Sequence, residues 1–401
     1  LRPAPHPNLL AAFSLAPRPF GPAPVPSAPP LWARLPLATP PPKKRRERDF
    51  PALPVPGVFR PAIGKDAIYT RWGFDASQQY LDGVAAFRRA TGEMLWSTGN
   101  DPDWQDLWPA SDPTLAEGSL YVLALREGDA AISPFWLLCL NPENGKLRWK
   151  RILASRDVGL ERGHNAPNLP KNQIDLAHYG NAVTVRRGAV FCSTQMGLIA
   201  RCDARDGMVD WVYPYPRVPL GTNLYEVMRR QGAAPALSGN AVVFLPRDAA
   251  GLFALDAETG QLLWENNSAR ARTLVGVQGG LVLARNEREV VALKAITGGV
   301  AWEKRFEEPI LGEPQLVGAS VCLGTRTGLH RLETATGRSG EERKWEGGEP
   351  IRQFAVTASN LVLLRDDSVA SIKPARTTAA ETRTSPLALP FSQVLDLPGD
   401  H

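Results

Sequence analysis

The chain is poor in the residues that build reactive centres. Its 401 residues include four cysteines, Cys139, Cys192, Cys202 and Cys322. None is adjacent to another and none has CxxC or CxxCH spacing, which excludes the usual cysteine-built metal and haem sites. Cys192 and Cys202 fall on the two strands of one expected hairpin, but the turn at 194–197 does not set them opposite each other, so no disulfide is expected. The five histidines are His6, His164, His178, His330 and His401. Only His164 and His178 share a region, with Glu161 and Asp175 nearby, and no further ligand cluster joins them; surface or structural histidine is the reading, and no metal is expected. No Gly-rich phosphate loop and no nucleophile elbow is present. No apolar run reaches the roughly 18 residues that a membrane-spanning helix needs.

What is present is ordinary in bulk and unusual in order. Hydrophobic content of 43% with 22% charge is that of a globular protein long enough for a large core. The net charge of +5 is only a mild pull towards anionic partners. Many of the 37 prolines lie before position 62. Residues 1–31, rich in Pro and Ala, read as an extended leader or linker. The basic run at 43–48 (Lys43, Lys44, Arg45, Arg46 and Arg48) reads as a solvated loop, since a few phosphate contacts without interleaved aromatics do not make a nucleic-acid site. Leu1 rather than Met opens the chain, which fits either a removed signal or anchor or a piece of a longer protein.

From residue 61 onwards one unit recurs. Its most complete copy runs from Leu252 to Trp264: an alternating apolar strand reaches Asp256, a Thr259-Gly260 turn follows, and Trp264 sits four residues after the glycine. Gly at such a turn supplies positive φ without steric cost. The same four-residue Gly-to-Trp spacing joins Gly92 to Trp96, Gly145 to Trp149, Gly207 to Trp211 and Gly298 to Trp302. At Gly337 an insertion displaces the partner, Trp345. Two further short strands and a turn precede each signature hairpin, beginning near residues 61, 109, 180, 234, 272, 313 and 352. A four-stranded unit of this size cannot bury both faces alone, and radial stacking of such units makes a β-propeller.

The count predicts an all-β, seven-bladed β-propeller of four-stranded antiparallel blades, with an eight-bladed ring as the alternative. Trp32 has no unit before it, and the last unit has no Trp strand after it. A strand near Trp32 is therefore expected to complete the last blade and remove an exposed edge. The expected domains are the leader at 1–31, the propeller at 32–375 and a tail at 376–401.

The pattern Ala254-x-Asp256-x-x-Thr259-Gly260-x-x-x-Trp264 resembles the pyrroloquinoline-quinone-like (PQQ-like) repeat, and the resemblance covers roughly residues 30–375. It implies that Trp32, Trp96, Trp149, Trp211, Trp264 and Trp302 dock between neighbouring blades. One branch of that family, the quinoprotein dehydrogenases, binds the quinone and Ca²⁺ in an eight-bladed ring with an adjacent-cysteine disulfide against the cofactor. The other, including BamB-type proteins of the outer-membrane barrel-assembly machinery, binds proteins. With no adjacent cysteines and one blade fewer, this chain is expected to be a non-catalytic, cofactor-free binding scaffold outside the cytoplasm, periplasmic or at the cell surface. The alternatives are a PQQ-dependent dehydrogenase or its relic, and a sensor or interaction module of a longer membrane-anchored or kinase-linked chain.

The working surface is expected where the insertions cluster, at 73–82, 97–108, 126–135, 150–178 and 212–233, all in the first four blades and on one face. Long loops on a rigid scaffold concentrate function. These carry Trp104, Trp108, Trp136, Tyr213, Tyr215, Tyr225, Arg229 and Arg230, residue types enriched at interface hot spots, as candidates for contact with a protein partner. The competing reading is that each aromatic merely pins its loop.

Overall fold

The computed structural model describes residues 61–72, 83–99, 101–104, 107–126, 132–157, 182–217 and 233–340, together with short strands beyond. Among these, seven antiparallel sheets follow one another along the chain. Sheet 1 holds β1 (Ala62–Ile63), β2 (Ala67–Trp72), β3 (Gly83–Arg88) and β4 (Met94–Ser97). Sheet 2 holds β5 (Leu107–Pro109), β6 (Thr114–Ala116), β7 (Ser119–Arg126), β8 (Ile132–Leu140) and β9 (Leu147–Asp157). Sheet 3 holds β10 (Thr184–Arg186), β11 (Ala189–Ser193), β12 (Leu198–Asp203) and β13 (Val209–Pro214). Sheet 4 holds β14 (Ala236–Ser238), β15 (Ala241–Phe244), β16 (Leu252–Asp256) and β17 (Leu262–Asn266). Sheet 5 holds β18 (Thr273–Gln278), β19 (Leu281–Arg285), β20 (Glu289–Lys294) and β21 (Val300–Arg305). Sheet 6 holds β22 (Leu311–Val317), β23 (Ser320–Gly324), β24 (Gly328–Glu333) and β25 (Arg343–Lys344). Sheet 7 holds β26 (Gln353–Val356), β27 (Leu361–Leu364), β28 (Val369–Ile372) and β29 (Val394–Asp396).

Two details depart from the sequence reading. The first strand of sheet 2 is split by Pro109 and Pro113 into β5 and β6, which both pair with β7. The Ser111 hydroxyl accepts from the Leu123 amide at 2.9 Å and so satisfies the backbone where the ladder is interrupted. In sheet 7 the edge of β28 is taken by β29, with Ser371 opposite Leu395. The expected closing strand near Trp32 lies outside the described residues, and the strand seen beside β28 comes from within 376–401. The Val394-Leu395 strand has no Thr-Gly turn before it, so the repeat grammar passes over it. Trp32 and Trp345 lie outside the described residues.

The cores lie between sheets. Along β7, Leu120, Val122 and Ala124 pack towards sheet 1, while Tyr121, Leu123 and Leu125 pack towards sheet 3. Val242 and Phe244 of β15 face sheet 3, and Val243 faces sheet 5. These middle strands thus bury both faces, and their side-chain period of two sends alternate residues to opposite neighbours. Near-continuous apolar runs such as Ala241–Phe244 follow directly from this.

The fourth strand of sheets 1 and 3 to 5, and β9 of sheet 2, carry the tryptophan, and the tryptophan lies on the next sheet. The indole Nε1 of Trp96 donates to the Pro142 carbonyl at 3.0 Å, Trp211 to Ala257 at 3.1 Å, Trp264 to Ala295 at 2.8 Å and Trp302 to Thr334 at 2.9 Å. In each case the acceptor stands three residues before the turn glycine of the following sheet. A β-carbon placed on Gly145, Gly260, Gly298 or Gly337 would lie 2.5, 2.7, 2.6 or 2.6 Å from the stacked ring. Trp149 covers Gly207 in the same way, and there Tyr121 donates to the Ala204 carbonyl at 3.2 Å.

A register shift at one point of the signature hairpin makes this possible. Ala254 pairs with Trp264 but Leu255 with Leu262, which leaves Leu263 as the extra residue, and the equivalent shift occurs in sheets 1, 2, 3 and 5. An extra residue reverses the alternation beyond it. Leu262 and Leu263 consequently both face outward, 44% and 41% exposed, and Trp264 turns in to 8%. The bulge explains why aliphatic residues are exposed just ahead of a buried tryptophan.

Glycine is thus required twice at Gly260, for its φ of 72° and for the ring against it. Gly239, with φ of 60°, has open space where a β-carbon would stand, with nothing within 4 Å. Gly239→Ala should cost only the left-handed-backbone penalty of about 1–2 kcal/mol. Gly260→Ala should add about 1–3 kcal/mol of overpacking. Equal losses in urea unfolding would contradict this account of the turn.

Candidate partner-binding face

In this arrangement the second-to-third-strand connections and the links into the next sheet emerge at one end of the strands, and the Thr-Gly turns at the other. Sheet 2 reaches furthest at the first end. Its β8 and β9 have nine and eleven residues, against five each for the equivalent β16 and β17. At about 3.3 Å per residue, the hairpin projects roughly 13 Å beyond that of sheet 4. Residues 132–135 and 150–157, expected as loop, are thus strand, held by register from Ile132 opposite Asp157 to Leu140 opposite Leu147.

Trp136 stands where the projection begins, paired with Ala124 and Ile152. It is half-buried, and the Lys150 ammonium lies 5.6 Å from its ring centroid, within cation–π reach. Ile152 beside it is 49% exposed. Trp108 is half-buried on β5, opposite Leu125. Trp104 is different. It closes a single 3-10 turn at Pro102–Trp104 and is buried among Tyr69, Val84 and Leu107 between sheets 1 and 2. Trp104 is corrected from a surface candidate to a packing residue.

Between sheets 3 and 4 the same end of the strands carries a buried polar node. Asp248 is fully buried in the connection from β15 to β16. Its Oδ1 accepts from the Tyr215 hydroxyl at 2.6 Å, and its Oδ2 from the Gly197 amide at 3.1 Å and Arg217 Nε at 3.0 Å. Tyr215, which follows β13, is 5% exposed and packs on Phe253 at 5.5 Å, so it too is an internal residue rather than a contact surface. Tyr213 is half-buried, its ring 6.2 Å from that of Phe253. Tyr225, Arg229 and Arg230 lie outside the described residues.

Burial raises the Asp248 carboxyl above its ordinary range, and the Tyr215 hydroxyl and the Arg217 charge pull it part of the way back. Burial and then the Asp248 charge hold the Tyr215 phenol well above its ordinary 10.0. Gln195, in the turn between β11 and β12, joins the node by accepting from the Arg247 amide at 2.6 Å. Asp248, Gln195, Arg217 and Arg247 were not singled out from the sequence. The available signal was Pro246-Arg247-Asp248 directly after an apolar strand, where a charged pair in a short connection needs partners. Among the described residues, no group of three His, Cys, Asp or Glu side chains is placed to hold a metal.

The sequence matches the family described as "Outer membrane protein assembly factor BamB" over residues 82–275 and 249–384. None of the curated proteins matches it. Among solved structures, BamB from Moraxella catarrhalis is similar at 15% identity and a TM-score of 0.48, covering 76% of this chain and 80% of that one. A europium-containing methanol dehydrogenase is similar at 11% identity and 0.47, over 79% of this chain and 73% of that one. The quinohemoprotein alcohol dehydrogenase of Comamonas testosteroni aligns at 13% identity and 0.47, over 78% and 62% respectively.

A phenol whose folded pKa is raised contributes stability that is fully present below pH 10 and is lost as pH rises towards the folded value. Tyr215→Phe should lower stability at pH 7 by about 1–3 kcal/mol, since it leaves buried Asp248 one donor short. The same variant should lose less than the parent between pH 9 and 11. Parallel losses over that interval in urea unfolding would place Tyr215 outside the titrating set.

Proposed function

The chain belongs to the family of the outer membrane protein assembly factor BamB, and on that premise we propose that it is a non-catalytic β-propeller acting as a protein-binding scaffold outside the cytoplasm. In this reading the seven sheets close into one ring and the partner docks on the face from which the β8–β9 hairpin projects. The observation that carries it is that hairpin. A rigid, strand-built arm presenting Trp136, Lys150 and exposed Ile152 offers aromatic and aliphatic anchors at little entropic cost. The family description supports an outer-membrane setting. Among the described residues no helix is long and apolar enough to cross a membrane.

A photo-crosslinking residue at position 152 should capture a defined protein in the native host, and Trp136→Ala should reduce that capture at least tenfold at a temperature where both proteins remain folded. Capture from position 262, at the opposite end of the strands, with none from 152 would put the interface on the wrong face. Saturable binding of pyrroloquinoline quinone with Ca²⁺ and dye-linked alcohol oxidation would replace the scaffold reading with the dehydrogenase one.

A further inference from the structure

The turn between β8 and β9 departs from its copies at one chemically consequential position. A threonine precedes the turn glycine in sheets 1, 4, 5 and 6, as Thr91, Thr259, Thr297 and Thr336. Asp206 takes that place in sheet 3, and in sheet 2 it is Asn144, followed by Gly145. No other Asn-Gly step occurs in the sequence. The pair matters because an asparagine side-chain carbonyl can be attacked by the backbone nitrogen of the next residue, closing a five-membered imide. Glycine is the follower that hinders this least, since it has no β-carbon and turns freely. Asn144 is exposed, so water and base reach it.

The fold engages both reacting groups. Asn144 Oδ1 accepts from the Lys146 amide at 3.0 Å, and the Gly145 N–H donates to the Asn141 carbonyl at 2.8 Å. The Asn141 amide in turn donates to the Lys146 carbonyl at 2.8 Å, which closes the hairpin. Gly145 is itself buried, because the Trp96 ring of sheet 1 lies on it, and an added β-carbon would stand 2.5 Å from that ring. The same indole donates to the Pro142 carbonyl at 3.0 Å. The Gly145 nitrogen is therefore free to react only when the turn opens away from Trp96, and that local opening sets the rate.

We propose that Asn144 is a self-modification site whose reaction is gated by the Trp96 cover. In the open turn the Gly145 nitrogen gives its proton to solvent base and bonds to Asn144 Cγ, and the side-chain nitrogen leaves as ammonia. Water then opens the imide at either carbonyl, giving aspartate or isoaspartate at position 144. The net change is amide plus water to acid plus ammonia, with no oxidation. Isoaspartate runs the main chain through Cγ and so adds one carbon to the turn. The bond from Gly145 to Asn141 and the Trp96 contact both depend on the length of that turn, so the joint between sheets 1 and 2 loosens and does not re-form. This inference is independent of the scaffold reading.

The test is incubation of the full chain at mildly alkaline pH, with peptide mapping of the amide-to-acid mass change and of isoaspartate at 144. The folded parent should convert at least tenfold more slowly than a synthetic peptide spanning 140–148. Trp96→Ala, held below its melting temperature, should convert at least tenfold faster than the parent. Trp96→Phe, which keeps a ring over Gly145 but gives up the bond to Pro142, should fall between the two. Trp211→Ala uncovers Gly260 instead and should leave the rate at 144 within twofold of the parent's. The isoaspartate form should melt below Asn144→Asp, which has the same added charge without the longer backbone. Equal rates in the parent and the peptide, or in Trp96→Ala and the parent, would overturn the proposal. So would equal acceleration by Trp211→Ala, which would make the opening global, or identical melting of the isoaspartate form and Asn144→Asp.

Discussion

The structure depends on an indole lying flat on a glycine. Each four-stranded sheet is too small to bury its own faces, so its stability comes from its neighbours, and the neighbours must be held in register. The Trp264 ring over Gly298, with its N–H on the Ala295 carbonyl, fixes the distance between sheets 4 and 5 and the relative height of their strands. Repeating that contact from sheet 1 to sheet 6 turns local hairpins into one stack. The glycine serves both chain reversal and ring contact, and the bulge before the tryptophan aims the indole at it.

A second series of contacts joins the innermost strands. Thr114 donates to the Val183 carbonyl and Thr184 to that of Pro235, while Glu117 accepts from the Gly188 amide. Farther along, Gln278 donates to the Gly318 carbonyl. These are polar and short-range, in contrast to the aromatic contacts outside. Between the two series lie the aliphatic middle strands, buried on both faces. Rigid spacing at the inner and outer edges leaves variation to the connections at one end of the strands, which is where the long hairpin of sheet 2 and the Asp248 node are found.

Much of this was legible in the sequence because the signal repeats. The spacing from Gly92 to Trp96 and from Gly298 to Trp302 is the same physical constraint met several times, and repetition separates it from chance. What the repeat does not encode was not legible. The strand at Val394–Asp396 lacks the preceding turn, and the split of β5 from β6 follows from two prolines in one copy only. Counting aromatics in insertions could not tell the half-buried Trp108 and Trp136 from Trp104 and Tyr215, which are buried. Whether an aromatic in a long connection faces inward depends on partners distant in sequence. Tyr215 meets Asp248, and Trp104 packs with Tyr69 and Val84, and neither pairing has a local signature.

The most direct measurement of the central claim is a double-mutant cycle between Trp264 and Gly298, read by urea unfolding, with Trp264 and Gly260 as the control pair. Gly298 lies under the Trp264 ring, whereas Gly260 lies under Trp211. If the indole-on-glycine contact sets the spacing between sheets, Trp264→Phe should absorb part of the clash introduced by Gly298→Ala. The coupling should then be about 1–3 kcal/mol, with near-additivity for the control. Additivity within about 0.5 kcal/mol for Trp264 with Gly298 would show that the sheets are held by something else.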